Sequence, residues 1–219
     1  MADTIAARWA VVRARVDAAC LRAGRAPSEV TVVAVSKRHP ASAIREAIAA
    51  GVRDLGENYV QELVAKRAEV PTADDVRWHF IGRLQRNKAR QIAGQVALVH
   101  AVDSVELAVE LGKRASGGVQ PILLAVNAAG EATKGGAAVA EVAGLAAAVA
   151  GVTGVRLDGL MTMPPPDQDP RPVFETVARL RAELGLPVLS MGMSDDFEAA
   201  IACGATHVRI GTAIFGRRE

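Results

Sequence analysis

The sequence predicts an α/β fold, a single (β/α)8 barrel of the TIM type with an extra N-terminal helix. Eight short apolar runs alternate with helix-like stretches along the 219 residues. The runs are continuously apolar, which is typical of parallel strands that are covered on both faces. Eight such units in a little over 200 residues fit a closed barrel better than an open sheet. Because no linker or low-complexity tract interrupts the pattern, residues 1–219 are predicted to form one domain.

Each element has a signal of its own. A first helix is predicted over residues 4–23, because Ile5, Trp9, Val12 and Val16 fall near one face and Gly24 follows them. Strands are predicted at the apolar runs 30–36, 53–56, 78–82, 97–102, 121–127, 155–161, 188–191 and 207–211. The connecting helices are predicted at 41–50, 58–69, 85–94, 104–115, 137–150, 170–184 and 194–203. No full helix follows the last strand, so we expect the N-terminal helix to cover that gap.

Composition narrows the functional classes. Half of the residues are hydrophobic and the net charge is only +2, so the chain suits a sizeable core and shows no nucleic-acid footprint. Arginines interrupt the region of a signal peptide, and the weakly polar run 137–152 is too short to span a bilayer. Cys20 and Cys203 fit two free thiols in a reducing compartment, with a disulfide as the alternative. We therefore expect a cytoplasmic protein without membrane contact, monomeric because no long apolar helix face stands out.

A lysine closes the first predicted strand. In the stretch TVVAVSKRHP, residues 31–40, Val33, Val35 and Lys37 share parity and are expected to face the barrel interior. Lys37 would then lie at the carboxyl ends of the strands, where ligands bind in this fold. A lysine at such a rim either extends into water, pairs with a carboxylate or does chemistry. Strand position alone does not decide among these.

Two segments near the end of the chain indicate an anion site. In RIGTAIFG, residues 209–216, Gly211 lets a ligand approach the backbone and Thr212 adds a hydroxyl at the start of a short helix. In LSMGMSDD, residues 189–196, Ser194 is predicted to cap the following helix. Phosphate sites of barrels often lie beyond strands seven and eight, although each of these signals is weak alone. An anion site on one side of the rim and an amine on the other would suit a phosphorylated aldehyde.

Several blocks of the chain, in order, resemble the pyridoxal phosphate homeostasis proteins (the YggS/PROSC family). The resemblance covers nearly the whole chain and implies a single barrel similar to the N-terminal domain of alanine racemases. The matching blocks are VAVSK from Val33, GENYVQE from Gly56, WHFIGRLQRNK from Trp78, AVDS from Ala101, GLMTM from Gly159, LSMGMSDD from Leu189 and VRIGTAIFG from Val208.

The resemblance implies a role for each matching position. Lys37 would hold pyridoxal 5'-phosphate (PLP) covalently as a Schiff base, Arg209 would face the pyridine nitrogen and Asn58 would lie beside the ring. The phosphate would be bound by Ser194, Gly211 and Thr212, with Ser190 and Met191 close by. No metal site is predicted. Three further residues lie where they would line the mouth, and we interpret them as a core-edge histidine, a packing methionine and a surface lysine: His79, Met161 and Lys134.

The implied function is binding, buffering and handing on PLP within vitamin B6 homeostasis, with PLP-dependent apoenzymes as recipients and without efficient catalysis. An arginine opposite the pyridine nitrogen leaves that nitrogen unprotonated, which weakens its use as an electron sink. The only tyrosine, Tyr59, lies just after the second strand. Two alternatives stay open. One is a weak amino-acid racemase with Tyr59 or a second lysine as base, and the other is a class I aldolase in which Lys37 acts without a cofactor.

Overall fold

The protein forms the predicted barrel. The computed structural model describes residues 3–70, 75–115, 118–131 and 135–216. The strands are β1 (Thr31–Val35), β2 (Asp54–Glu57), β3 (Arg77–Phe80), β4 (Leu98–Val102), β5 (Gln120–Asn127), β6 (Ala137–Ala138), β7 (Val155–Thr162), β8 (Val188–Ser190) and β9 (His207–Ile210). Of these nine strands in the described residues, all but the two-residue strand β6 build one parallel barrel. The barrel is closed, because β9 pairs with β1 and β4 pairs with β5.

Helices follow the strands and form the outer layer. They are α1 (Ile5–Arg22), α2 (Ala41–Ala49), α3 (Val60–Glu69), α4 (Val105–Arg114), α5 (Val142–Ala150), α6 (Arg171–Glu183), α7 (Phe197–Ala202) and α8 (Thr212–Phe215). Helix α1 starts where the sequence predicts, because the Thr4 hydroxyl accepts a hydrogen bond from the Ala7 amide at 3.1 Å. Within the described ranges, no helix has both the length and the apolar character needed to cross a bilayer.

The N-terminal helix covers the gap after the last strand, as expected. α1 packs against α2, α7 and the four-residue helix α8. Arg8 on α1 donates from Nε to the Ile214 carbonyl oxygen at 2.8 Å. Arg25, just after α1, donates to the carbonyl oxygens of Ile201 and Ala205 at 3.0 and 2.8 Å. These bonds hold the N-terminal segment against α8, α7 and the loop that follows α7.

Two predicted helices differ in form from the expectation. The stretch predicted as a helix over 85–94 is a 3-10 helix over Arg86–Gln91 in which only Ala89 is buried, so it lacks the apolar stripe that an amphipathic helix needs. The stretch 137–150 begins as strand β6, passes through a 3-10 turn at Val139–Glu141 and becomes helical only at Val142.

Cys20 and Cys203 are free thiols, and burial raises the pKa of both.

The strands separate two layers of side chains. Val32 and Ala34 of β1 pack into the hydrophobic cluster between strands and helices. Val33 and Val35, which alternate with them, face the barrel interior as predicted. A Cβ atom added to Gly56 of β2 would lie 2.8 Å from Val33 Cγ1 and 3.6 Å from Val35 Cγ2. Side chains of this parity therefore fill the barrel interior, and those that follow the strand ends line the rim.

Gly159 tests how closely the barrel strands must pack. It lies opposite Val188 across β7 and β8, and a Cβ atom there would overlap the Val188 carbonyl oxygen. We expect Gly159→Ala to lower the free energy of unfolding by about 2 kcal/mol or more, measured by urea denaturation.

The matched control is Gly144→Ala in the exposed interior of α5, where nothing lies within 4 Å of the added Cβ. This change is expected to stabilise the protein by about 0.5–1 kcal/mol. Equal effects of the two substitutions would contradict the close strand approach.

Candidate functional site

A cavity of about 390 Å³ opens at the carboxyl ends of the barrel strands. Residues from both ends of the chain line it, because neighbouring strands bring their carboxyl ends to one rim. Six of the predicted site residues meet here: Lys37, Asn58, Ser194, Arg209, Gly211 and Thr212. The volume is in the range of small-molecule sites.

Lys37 and the Gly211–Thr212 segment follow adjacent strands. Ala34 of β1 is paired with Ile210 of β9, and a Cβ atom on Gly211 would lie 3.3 Å from the Val35 carbonyl oxygen. The sequence suggested that the amine and the anion site lie on different sides of the rim. Closure of the barrel makes them neighbours instead, so one small molecule can reach both.

Arg209 supplies a buried positive charge below the cavity. Arg209 is only 6% exposed. Its Nη1 donates to Ser190 Oγ at 2.7 Å, and its Nη2 donates to the Thr162 carbonyl oxygen at 3.0 Å. Burial lowers the pKa of Arg209 to about 10. The guanidinium therefore remains charged at neutral pH and keeps further N–H groups for a ligand.

The residues on both sides of Lys37 are held by hydrogen bonds to two carboxylates. The Ser36 hydroxyl donates to Glu57 Oε1 at 2.6 Å, and the Arg38 amide donates to Glu62 Oε2 at 2.7 Å. Arg38 has a φ of 63°, a left-handed conformation that is uncommon for a residue with a side chain. A tight turn closed by hydrogen bonds thus carries Lys37 from the strand into the cavity wall.

Lys66, which the sequence analysis did not single out, joins these contacts. Its buried Nζ donates to the Ser36 carbonyl at 2.8 Å, to Glu57 Oε1 at 2.7 Å and to Glu62 Oε2 at 2.8 Å. Burial raises the pKa of the Glu57 carboxyl despite the hydrogen bonds from Lys66 and Ser36. The second oxygen of Glu57 is buried and has no hydrogen-bond partner among the described residues. We name Ser36, Glu57, Glu62 and Lys66 the lysine-turn cluster.

Other predicted residues lie elsewhere. Ser190 and Met191 are fully buried and do not line the cavity, so their contact with a cofactor stays a prediction. Met161 lines the cavity, whereas His79 is buried inside the barrel and not at the edge of the core. Lys134 lies outside the described residues.

Ser194 lines the cavity but does not cap a helix. Helix α7 begins at Phe197, and its N-cap residue is Asp196 rather than Ser194. The Met193 amide donates to Asp196 Oδ1 at 2.6 Å, which closes the turn that carries Ser194. The predicted capping role of Ser194 is therefore wrong, because the turn LSMGMSDD continues two residues further than expected.

Five more polar residues line the same cavity and were not predicted as site residues: His39, Arg83, Asp103, Asn127 and Asp195. Each lies at or shortly after the end of a strand, which is the position that points to a rim site in this fold. His39 also stacks on Phe215, with ring centroids 5.2 Å apart. Polar residues just after each apolar run were a usable signal, and blocks such as AVDS contain them.

The residues present fit an anionic, aldehyde-bearing aromatic ligand. Arg209 offers positive charge, Lys37 an amine, and Gly211 a backbone without a side chain in the way. Asn58 Oδ1 is buried and has no hydrogen-bond partner among the described residues, which leaves an acceptor for a ligand group. No group of His, Cys, Asp and Glu side chains in the described ranges has the arrangement of a metal site.

Comparisons with known proteins agree with the family resemblance described in the sequence analysis. The family described as "Alanine racemase, N-terminal domain" matches residues 4–219. A pyridoxal phosphate homeostasis protein of Pseudomonas aeruginosa is 48% identical over 224 residues, covering 99% of this chain and 97% of that protein. The protein of the same name from Escherichia coli K12 is 44% identical over 229 residues, covering 99% of this chain and 98% of that one.

Solved structures give the same result. PipY of Synechococcus elongatus, solved with PLP bound, aligns with a TM-score of 0.83 and 37% identity, covering 97% of this chain and all of that one. An alanine racemase of Corynebacterium glutamicum aligns with a TM-score of 0.68 but only 18% identity, covering 99% of this chain and 61% of that enzyme. The second likeness concerns the fold alone.

The lysine-turn cluster generates a stability prediction. Lys66→Met removes the cation beside Glu57 and leaves a buried carboxylate, so we expect the free energy of unfolding to fall by about 3 kcal/mol. Because burial raises the pKa of Glu57, protonation of its carboxyl should recover part of this loss below neutral pH. Urea denaturation between about pH 5 and pH 8 measures both effects.

The control is Arg179→Met, which removes an exposed i,i+4 ion pair with Glu183 and should cost at most about 0.5 kcal/mol. The double substitution Lys66→Met, Glu57→Gln should be more stable than Lys66→Met alone. If Lys66→Met is as stable as Arg179→Met, the ion pair between Lys66 and Glu57 does not stabilise the fold.

Proposed function

The chain belongs to the pyridoxal phosphate homeostasis protein family, and we propose that it binds PLP in the cavity at the carboxyl ends of its strands. PLP is held as a Schiff base on Lys37, and the protein acts in intracellular PLP homeostasis without efficient catalysis. The observation that carries the proposal is the meeting of Lys37, Arg209 and the Gly211–Thr212 segment on one small cavity. The PLP-bound structure of PipY, a relative of 37% identity over nearly the whole chain, supports it.

Each residue has a task toward the cofactor. The neutral amine of Lys37 condenses with the aldehyde. A carbon–nitrogen double bond forms, water leaves, and the ligand is thereby attached to Lys37. Arg209 donates to the ring nitrogen, and Asn58 lies beside the ring. The phosphate is bound by Ser194, Gly211 and Thr212, with Ser190 and Met191 supporting the strand ends from below. Bound phosphate keeps the aldehyde near the amine, so condensation is effectively intramolecular.

The cavity lacks a tyrosine base. PLP enzymes that move a substrate proton need a base near the reacting carbon, together with a ring that accepts electrons. Tyr59 is 45% exposed and, among the described residues, is absent from the cavity lining. An arginine at the ring nitrogen further weakens the ring as an electron sink. We therefore assign binding and delivery rather than turnover.

Delivery implies partners. PLP-dependent apoenzymes are the recipients that fit such a role, and the open rim of the barrel is where they would take up the cofactor. A monomeric, cytoplasmic protein that binds neither nucleic acid nor membranes suits this function. These last properties stay predictions from composition and from the shape of the helices.

Lys37→Ala tests the covalent link. The wild-type protein mixed with PLP should absorb in the visible, and borohydride should fix one pyridoxyl group on Lys37, located by peptide mass spectrometry. Lys37→Ala should lose the reducible adduct while its thermal midpoint stays within a few degrees of wild type, because a partly exposed rim side chain contributes little to the core.

Lys88→Ala, a lysine outside the cavity, is the matched control and should label as wild type does. Wild-type protein that stays colourless with PLP but forms a reducible adduct with a sugar phosphate would favour the aldolase. Racemisation of free amino acids at about 1–1000 per second would favour the amino-acid racemase over a protein that only binds PLP.

Thr212→Ala tests the phosphate site. Loss of one donor to a charged phosphate should weaken PLP binding by roughly 1–3 kcal/mol, which is a factor of about 5 to 150 in Kd. The measurement is an absorbance titration with PLP. Thr176→Ala, whose hydroxyl bonds within the exposed part of α6, should leave the Kd unchanged. An unaltered Kd in Thr212→Ala would place the phosphate elsewhere.

A further inference from the structure

A continuous series of hydrogen bonds crosses the barrel interior. It joins five buried side chains, here named the interior chain: Arg209, Ser190, His100, His79 and Asp54. Ser190 Oγ lies 2.7 Å from Arg209 Nη1 and 2.8 Å from His100 Nδ1. His100 Nε2 lies 3.0 Å from His79 Nδ1, and His79 Nε2 lies 2.9 Å from Asp54 Oδ1. The interior chain thus runs from below the cavity to the amino-terminal end of β2.

The direction of these bonds is set at the Asp54 end. Arg77 donates to both carboxylate oxygens, at 2.7 and 2.6 Å. Although burial alone would raise it, the hydrogen bonds from His79 and Arg77 lower the pKa of Asp54 to about 2. An ionised carboxylate only accepts hydrogen bonds, so His79 Nε2 must donate. When His79 carries only that one hydrogen, its Nδ1 accepts, and His100 Nε2 donates to it across the 3.0 Å contact.

The same logic reaches the cavity. Burial lowers the pKa of His100 well below its ordinary value, so this imidazole is neutral. Since its Nε2 carries the hydrogen, its Nδ1 accepts from the Ser190 hydroxyl. The Ser190 oxygen then presents lone pairs to Arg209, which always donates. When each imidazole carries one hydrogen, this is the one arrangement in which every donor meets an acceptor.

The interior chain therefore decides how Ser190 faces Arg209. A serine hydroxyl rotates freely unless an acceptor holds its hydrogen. Here His100 holds that hydrogen, so the Ser190 oxygen is available to the guanidinium in every molecule. The other bond of Arg209, to the Thr162 carbonyl, fixes its second amino group. A long side chain is thereby kept in one geometry, which lowers the entropy that a ligand must remove on binding.

We propose that Ser190, His100, His79 and Asp54 are positioning residues that hold Arg209 in the orientation that meets the ring nitrogen of PLP. The proposal rests on the function proposed above, and it assigns Ser190 a task beneath Arg209 instead of direct contact with the phosphate. Groups that a cofactor never touches, one of them at the far end of the barrel, then contribute to its binding. Hydrogen bonds in such a series strengthen one another in the buried, low-dielectric interior.

Histidine nitrogen NMR on the protein without PLP tests the interior chain itself. We expect each of the two rings, His79 and His100, to carry its hydrogen on Nε2 and none on Nδ1. A hydrogen on Nδ1 of either residue, or a protonated imidazole, would overturn the proposal. This measurement does not depend on PLP binding, so it separates a failure of the interior chain from a failure of the proposed function.

Two variants test the link to the cofactor. Ser190→Ala removes the acceptor for Arg209, and His100→Leu removes the acceptor for the Ser190 hydroxyl without touching the cavity. We expect Ser190→Ala to weaken PLP binding about tenfold and His100→Leu to weaken it less. In both, the visible spectrum of bound PLP should depend on pH between about pH 6 and pH 9, because the ring nitrogen has lost its fixed partner. The wild-type spectrum should be unchanged over this range.

The controls separate positioning from packing. Ser190→Thr keeps the hydroxyl and should restore the wild-type spectrum, even if its added methyl group lowers the thermal midpoint. His207→Gln replaces a histidine whose ring centroid lies 6.1 Å from those of His79 and His100 but which is not a member of the interior chain, and it should bind PLP as wild type does.

Ser190→Ala that folds and shows the wild-type Kd and spectrum would overturn the proposal. So would a loss of affinity in His207→Gln equal to that in Ser190→Ala. If Ser190→Ala does not fold, His100→Leu decides by the same readouts. A wild-type protein with the expected tautomers that takes up no PLP would overturn the proposed function, and with it the role of the interior chain toward this cofactor.

Discussion

Parallel pairing between β1 and β9 joins the first and last strands of the barrel, and the candidate site depends on that pairing. The register that places Ala34 beside Ile210 also places the turn of Lys37 beside Gly211 and Thr212. These segments are more than 170 residues apart in the sequence, and nothing local draws them together. Helix α1 supports the junction from outside, since it packs on α2, α7 and α8 on either side of it.

Among the described residues, the buried charged side chains fall into two groups. The lysine-turn cluster lies on the outer side of the strand ends, where Lys66 neutralises Glu57 and holds the backbone that precedes Lys37. The interior chain lies inside the barrel, where Ser190 and two histidines separate the Arg209 cation from the Asp54 anion. Burial of unpaired charge is costly, so each group is tolerable only because nearly every polar atom has a partner.

Expectation and structure diverge where tertiary contacts override local pattern. The alternation of apolar runs gave the correct strands, and the parity of Val33 and Val35 placed them inside the barrel. The segment at 85–94 had helix-like composition but no apolar stripe, so it forms a 3-10 helix. Ser194 had the residue type of an N-cap, yet the Asp196 carboxylate two residues later closes the turn. The histidines of the interior chain sit in the middle of apolar strands, and that interruption was the one signal of a buried polar partner.

The sequence by itself determined the barrel and six of the residues that line its cavity, because strand periodicity and the order of the blocks are local properties. It also indicated that Lys37, Gly211 and Thr212 lie on one rim, but on different sides of it, and the pairing of β1 with β9 makes them neighbours. Only the tertiary structure decided that Ser190 lies beneath Arg209, that Lys66 is buried against Glu57 and that His79 and His100 bond to each other. Such pairings depend on side-chain distances across different strands, which no spacing along the chain encodes.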